Sequence, residues 1–224
     1  ASTSQSRPAE SVSIVSTSGY LLTLGMELWR SFELRENVRV HVEEAVDAAV
    51  ADSVEKGLND CGVISGAVDF GRFDATLVFR HPFVAVMNKD NPLARKQAIA
   101  LEDLSRIPVS LMASGFSAYT TIRNRLAQAG VEPERFIGVQ ELSTGMGYAK
   151  RNEAVHITAD FVARDHPSDK LVTLPFNDPE FSWDTHFITR AGSKLSEATL
   201  LLRDHVIAEV RRAFLGAPDA GPSA

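Results

Sequence analysis

Three short apolar runs, VSIV (12–15), VRVHV (38–42) and CGVI (61–64), are separated by segments whose apolar residues recur at helical spacing. No other feature restricts the fold as much. Strands parted by crossover helices pair in parallel, and such a connection is right-handed almost without exception, so residues 12–64 predict a βαβαβ unit. The first helix is expected from about Gly19 to Phe32, with Leu21, Leu22, Met26, Leu28, Trp29 and Phe32 forming a broad apolar face. The second runs through Val46, Val50 and Val54 and stops at Gly57, a residue suited to a left-handed cap.

The run LVFRHPFVAVM (77–87) is too long for one ordinary strand and ends at the turn NKDNP, as a strand leaving one sheet for another would. A second α/β set follows. It comprises strand IPVSLM, a helix from about Ser117 to Ala129 closed by Gly130, strand FIGVQEL, a helix capped by Ser143 or Thr144, and strand AVHIT. A last extended run, WDTHFIT, precedes a helix from about Ser196 to Phe214 that turns Leu201, Leu202, Val206, Val210 and Phe214 inward. The fold class is α/β, with two Rossmann-like lobes. Residues 1–10 and the ending GAPDAGPSA are too polar or too small to build a core and read as linker and tail, leaving a folded part of 11–215.

The ends of two predicted strands echo each other. SIVSTSGY ends in Ser18-Gly19-Tyr20 and SLMASGFSAY contains Ser114-Gly115-Phe116, each before a predicted helix. A helix N-terminus offers unpaired amides and partial positive charge, and hydroxyls add donors, so each turn suits an anion or carboxylate. In open parallel sheets ligands settle outside the carboxyl ends of the strands, where both turns lie. Composition narrows the partners further. With 23 basic against 29 acidic residues and a net charge of −6, the surface is unsuited to wrapping nucleic acid by phosphate neutralisation. A single cysteine, Cys61, excludes a disulfide within the chain and favours a reducing, cytoplasmic setting. No apolar run approaches the roughly 20 residues that span a bilayer, and the first ten residues lack the apolar core of a signal peptide. The start at Ala1 instead of Met suggests a processed, truncated or excised chain.

Two segments carry a family resemblance. SVEKGLNDCGVI (53–64) resembles the L-x-x-G-x-L-D-x-(G/A)-I segment of LysR-type transcriptional regulators. PFVAVMNKDNPLARKQAIALEDL (82–104) resembles their P-L-x-x-E-x-L-V-x-V-x-x-x-H-P-L-A…L-x-D-L segment. The early helix, the FVAR…LVTLPF stretch and the closing helix follow in the family's order, so the resemblance covers about 11–215. It implies the effector-binding domain: two lobes joined by two crossover strands, like type 2 periplasmic binding proteins, with a small organic effector held between them. The crossovers would lie near Phe83–Met87 and His186–Thr189, with lobe I at 11–84 plus 188–215 and lobe II at 85–187. The family's N-terminal winged helix-turn-helix is absent from these residues, so DNA would be reached only through that missing segment. The resemblance further implies side-by-side homodimers or higher oligomers. The alternative sharing this fold is a solute-binding protein of a transporter.

Several positions depart from the family pattern. Asn59 fills a leucine slot, Asn91 replaces the usual histidine before Pro92-Leu93, and Glu36-Asn37 lacks the usual proline. YAKRNEAVHITADF stands where many members have V-x-x-G-x-G-I-x-x-L-P, with Asn152 and Ala154 in the glycine slots and Ala159 in the proline slot. His156 and Thr158, two apart on one predicted strand, would then give the pocket a polar wall.

The candidate effector-binding residues are Ser16, Thr17 and Ser18, Ser65 at the end of the third strand, Ser114, Gly115 and Phe116, Ser143 and Thr144, and His156 with Thr158. The bland alternative for the hydroxyl residues is helix capping, and for His156 a satisfied core histidine. No G-x-S-x-G elbow or G-x-x-x-x-G-K phosphate loop is present, so an enzyme is not expected. His41, His81, His166, His186 and His205 show no metal-ligand spacing, Glu43-Glu44 and Asp178-Glu180 read as solvated surface, and no cofactor is expected. Cys61 reads as a small core residue.

Overall fold

The computed structural model describes residues 10–17 and 19–215. They divide into two compact units: unit 1 takes the chain up to Phe79 and again from Thr185, and unit 2 is Arg80–Asp184.

In unit 1, β1 (Glu10–Thr17) lies between two parallel neighbours, β2 (Val38–Ala45) and β3 (Cys61–Ser65). β9 (Ser182–Arg190) adds to β3 in antiparallel sense, from Gly62 opposite Ile188 to Ser65 opposite Thr185. The helices are α1 (Glu27–Glu36), α2 (Asp47–Glu55) and α6 (Glu197–Leu215). β1 from Ile14 on and all of β3 are buried because sheet and helices cover both faces, whereas β2, at the edge, exposes most of its length. Gly62 explains how α2 lies so close to β3: a methyl group there would sit 2.9 Å from side-chain carbons of both Val50 and Val54. α2 ends as its sequence predicts, with Gly57 at φ +69°.

The single helix expected over 19–32 is instead two pieces. A 3₁₀ turn covers Leu21–Leu24, Gly25 takes φ +67°, and α1 begins only at Glu27. The glycine's left-handed backbone breaks the hydrogen-bond ladder, which rotates Met26 out to 65 % exposure and leaves Leu28, Trp29 and Phe32 as the buried face. α1 closes on Asn37, a left-handed residue at φ 53° whose N–H bonds the Glu33 carbonyl at 3.0 Å.

β4 (Phe73–Asn88) is one continuous strand of 16 residues that carries the chain from unit 1 into unit 2. In unit 2 it pairs antiparallel with β7 (Val155–Ala159) and with β8 (Leu171–Pro175). β5 (Pro108–Met112) runs parallel to both β7 and β6 (Arg135–Val139). The helices are α3 (Ser117–Gln128), α4 (Leu142–Lys150) and the short α5 (Asp160–Arg164). The core gathers Phe83, Ile99, Leu104, Leu111, Ile122 and Phe181, all at most 1 % exposed. Each such side chain contributes roughly 1.5–3 kcal/mol of transfer free energy. α5 and β8 are additional to the elements expected from sequence; five residues are too few to show helical periodicity.

Candidate functional site

In unit 1 the candidate residues stand at the carboxyl end of β1. Ser16 is fully buried and its hydroxyl donates to the Thr17 carbonyl at 3.2 Å; Thr17 is 4 % exposed. The Thr17 carbonyl also accepts the Tyr20 N–H at 3.2 Å, closing a turn in which Gly19 takes φ +76°. That turn drives Tyr20 inward, where its phenol oxygen lies 3.0 Å from the Thr185 hydroxyl and its ring stacks on Phe214 at 6.4 Å. Ser18 lies outside the described residues. Because only a four-residue 3₁₀ turn follows, the positive helix terminus expected beside STSG is absent; the polar character of this turn comes from hydroxyls. Ser65 is committed elsewhere, its N–H and hydroxyl both donating to Asp47 Oδ1 at 2.8 Å. That carboxylate makes the spot poor for an anion.

Unit 2 has the fuller arrangement. β5, β6 and β7 are parallel, so residues 113–116, 140–144 and 159–160 gather at one end of the sheet. Ser114 and Gly115 are exposed, with Gly115 at φ +117°, and Phe116 is half-buried. The N-cap of α3 is Phe116, so neither Ser114 nor any other side chain caps that helix, and the Tyr119 N–H in its first turn bonds the Phe116 carbonyl at 3.1 Å. Ser143 and Thr144 do not cap α4 as expected. The N-cap is Glu141, which places both hydroxyls in the first helical turn, exposed.

His156 is fully buried on β7, with Nδ1 3.0 Å from Ser110 Oγ on β5, and Nε2 has no hydrogen-bond partner among the described residues. A methyl group at Gly145 of α4 would lie only 2.3 Å from His156 Cε1, so the ring sits directly under that glycine. Burial lowers its pKa from 6.5 to about 4, which keeps the ring neutral near pH 7. Thr158, two residues on, is 7 % exposed. Both side chains are thus buried, and the imidazole is bonded through Nδ1 alone among the described residues.

Sequence reasoning missed a cluster beside the same strand end. His81 Nδ1 on β4 lies 3.4 Å from Asp160 Oδ1 at the start of α5, and His81 packs on Phe161 at 4.5 Å and Trp183 at 6.0 Å. Burial lowers the His81 pKa, against the opposing pull of Asp160. Burial would raise Asp160, but His81, Arg164 and the Phe161 amide together hold it below the usual carboxylate range. No local pattern marks this contact, because its partners are far apart in sequence.

Among the described residues no group of three or more His, Cys, Asp or Glu could hold a metal ion, and no helix is long and apolar enough to cross a membrane. Cys61 is fully buried, and burial first and Asp60 second raise its thiol pKa far above the reactive range. Iodoacetamide should therefore leave the folded chain unmodified at pH 8 over hours and label Cys61 within minutes in 6 M guanidinium, read by intact mass; rapid native labelling would contradict its burial.

Residues 5–211 match the family model described as LysR substrate binding domain. An uncharacterized HTH-type transcriptional regulator of Escherichia coli, YbhD, is 24 % identical over 166 residues, which is 74 % of this chain and 52 % of that protein. The chain thus spans about half the length of this curated relative. Among solved structures, the BenM effector binding domain with its effector benzoate superposes with a TM-score of 0.79 at 17 % identity, covering 96 % of this chain and 98 % of that one. The effector binding domain of QuiR in complex with shikimate gives 0.73 at 14 % identity, covering 90 % and 97 %.

Proposed function

The chain belongs to the LysR substrate-binding domain family, and from that premise we propose that it is the effector-sensing regulatory domain of a LysR-type transcriptional regulator. It binds a small organic anion reversibly and passes the occupancy to a DNA-binding segment of the same polypeptide. The observation that carries the reading is the family match over 5–211. The strand ends support it chemically: the hydroxyls of Thr17, Ser114, Ser143 and Thr144 are groups that hold a carboxylate by hydrogen bonds without reacting with it. Benzoate and shikimate, the ligands of BenM and QuiR, are both carboxylates. In this reading the protein works in the cytoplasm as a homo-oligomer, without catalysis.

The test is a thermal-shift screen of small carboxylic acids on this chain, followed by calorimetry of the best one. A ligand at one hundred times its Kd adds about 2.7 kcal/mol of stability, several degrees of Tm. Thr17→Ala and Ser114→Ala should each weaken binding about ten- to a hundredfold, the value of one lost hydrogen bond to a charged group. Unchanged affinity in both variants would remove these residues from the site. A solute-binding protein would instead carry a signal peptide upstream of Ala1, where this reading requires a helix-turn-helix.

A further inference from the structure

We propose that unit 2 carries a second binding site, distinct from the strand-end residues, for a small organic carboxylate with an apolar body, in the cavity between α5 and β8. The cavity measures about 260 Å³. That is below the roughly 300–1,000 Å³ of pockets for drug-sized ligands and suits a single ring or a short branched chain. Its floor is apolar. Val86, 1 % exposed, and Ala163, 8 % exposed, belong to the cluster that packs α4 on the sheet, and Leu171 joins them from β8.

The rim is built of donors. Arg164, Ser168 and Thr173 border the cavity, and no carboxylate side chain lines it, although the chain as a whole carries a net charge of −6. Long-range electrostatics disfavours an anion here, so the preference rests on this local set. Arg164 pairs with Asp160 at 3.4 Å while 56 % of its side chain is exposed. An exposed ion pair of this kind is weak, so a ligand carboxylate competes for the guanidinium at small cost and gains its fork geometry. The loop is set for the purpose by its own bonds. Ser168 Oγ accepts the Lys170 N–H at 3.3 Å, which turns the hydroxyl proton elsewhere, and the Ser168 carbonyl accepts the Leu171 N–H at 3.1 Å. His166 walls one side, tied through Nδ1 to the Val162 carbonyl at 3.0 Å. Thr173 stands beside Val86 in the register of β8 with β4, so donor and floor meet on one pair of strands.

The experiment titrates benzoate into the ¹⁵N-labelled 224-residue chain and follows amide shifts, with benzyl alcohol and inorganic phosphate as parallel probes. Benzoate should move Ala163, Arg164, Ser168, Leu171 and Thr173 along one saturable curve, and the neutral ring and the bare anion should each bind about tenfold more weakly or less. Arg164→Gln, a surface change, should weaken benzoate at these residues by about tenfold, and Ala163→Leu should fill the floor and abolish it. Thr17→Ala should leave these shifts in place. No shifts at these residues, shifts indifferent to Arg164→Gln, or equal responses to phosphate or benzyl alcohol would each overturn the site. Shifts confined to 16–17 and 114–116 would remove it while leaving the effector reading intact.

Discussion

Replacing Gly145 by alanine should destabilise the chain by about 2 kcal/mol, although alanine is the better helix former. On propensity alone the substitution gains up to about 1 kcal/mol, because glycine in a helix interior costs that much relative to alanine. Against it stands a Cβ 2.3 Å from His156 Cε1 and 2.5 Å from Nδ1, well inside contact distance. The ring is not the loose end of a flexible side chain. It is fully buried and held by Ser110 at 3.0 Å, so α4 or β7 must shift. Overpacking of this sort costs roughly 1–3 kcal/mol and outweighs the propensity gain. Urea unfolding measures it, and a cycle with His156→Ala supplies the internal control. Once the ring is gone the methyl has room, so the double variant should be at least about 1 kcal/mol more stable than the two single costs predict. A Gly145→Ala chain as stable as its parent would show that the ring does not lie under α4.

The second large effect is a loss of about 3 kcal/mol of stability between pH 6.5 and pH 4, traceable to the same imidazole. Burial lowers the folded-state pKa of His156 from 6.5 to about 4. Between those values the unfolded chain binds a proton that the folded chain refuses, so stability is full above about pH 6.5 and falls as the pH drops toward 4. Some 2.5 pKa units at 1.36 kcal/mol each give about 3 kcal/mol. His81, also lowered by burial, works in the same direction, so the measurement compares pH profiles of the parent and of His156→Gln. The variant should show a distinctly flatter profile over this window. Identical slopes would mean that His156 is hydrated and titrates normally.

The parts of the fold legible in the sequence are those governed by one short-range rule. Gly57 and Gly130 end their helices as left-handed residues, at φ +69° and +68°, because only glycine adopts that backbone without strain. The strand set followed from apolar runs bounded by turns. What misled was Gly25: helical spacing continues across it, and periodicity alone does not reveal that it takes φ +67° and divides the helix. Ser143 and Thr144 were misplaced for a related reason. Hydroxyls near a helix start look alike at the N-cap and two residues inside it, and only the backbone angles of Glu141 separate the cases. The candidate site was legible as strand ends rich in hydroxyls. Its partnerships were not: Ser65 with Asp47, Tyr20 with Thr185, and His81 with Asp160 each join distant segments, and nothing in local spacing encodes them.

The two crossing points in the chain, after Phe79 and after Asp184, set an order of assembly. Unit 2 is one uninterrupted stretch, whereas the sheet of unit 1 needs β9 and its helical cover needs α6, both drawn from the C-terminal part of the chain. As the polypeptide leaves the ribosome, Arg80–Asp184 is complete and able to fold while β1, β2 and β3 still wait for their last partners. The half synthesised first is thus the half finished last, and its apolar strands depend longest on protection from the wrong neighbours.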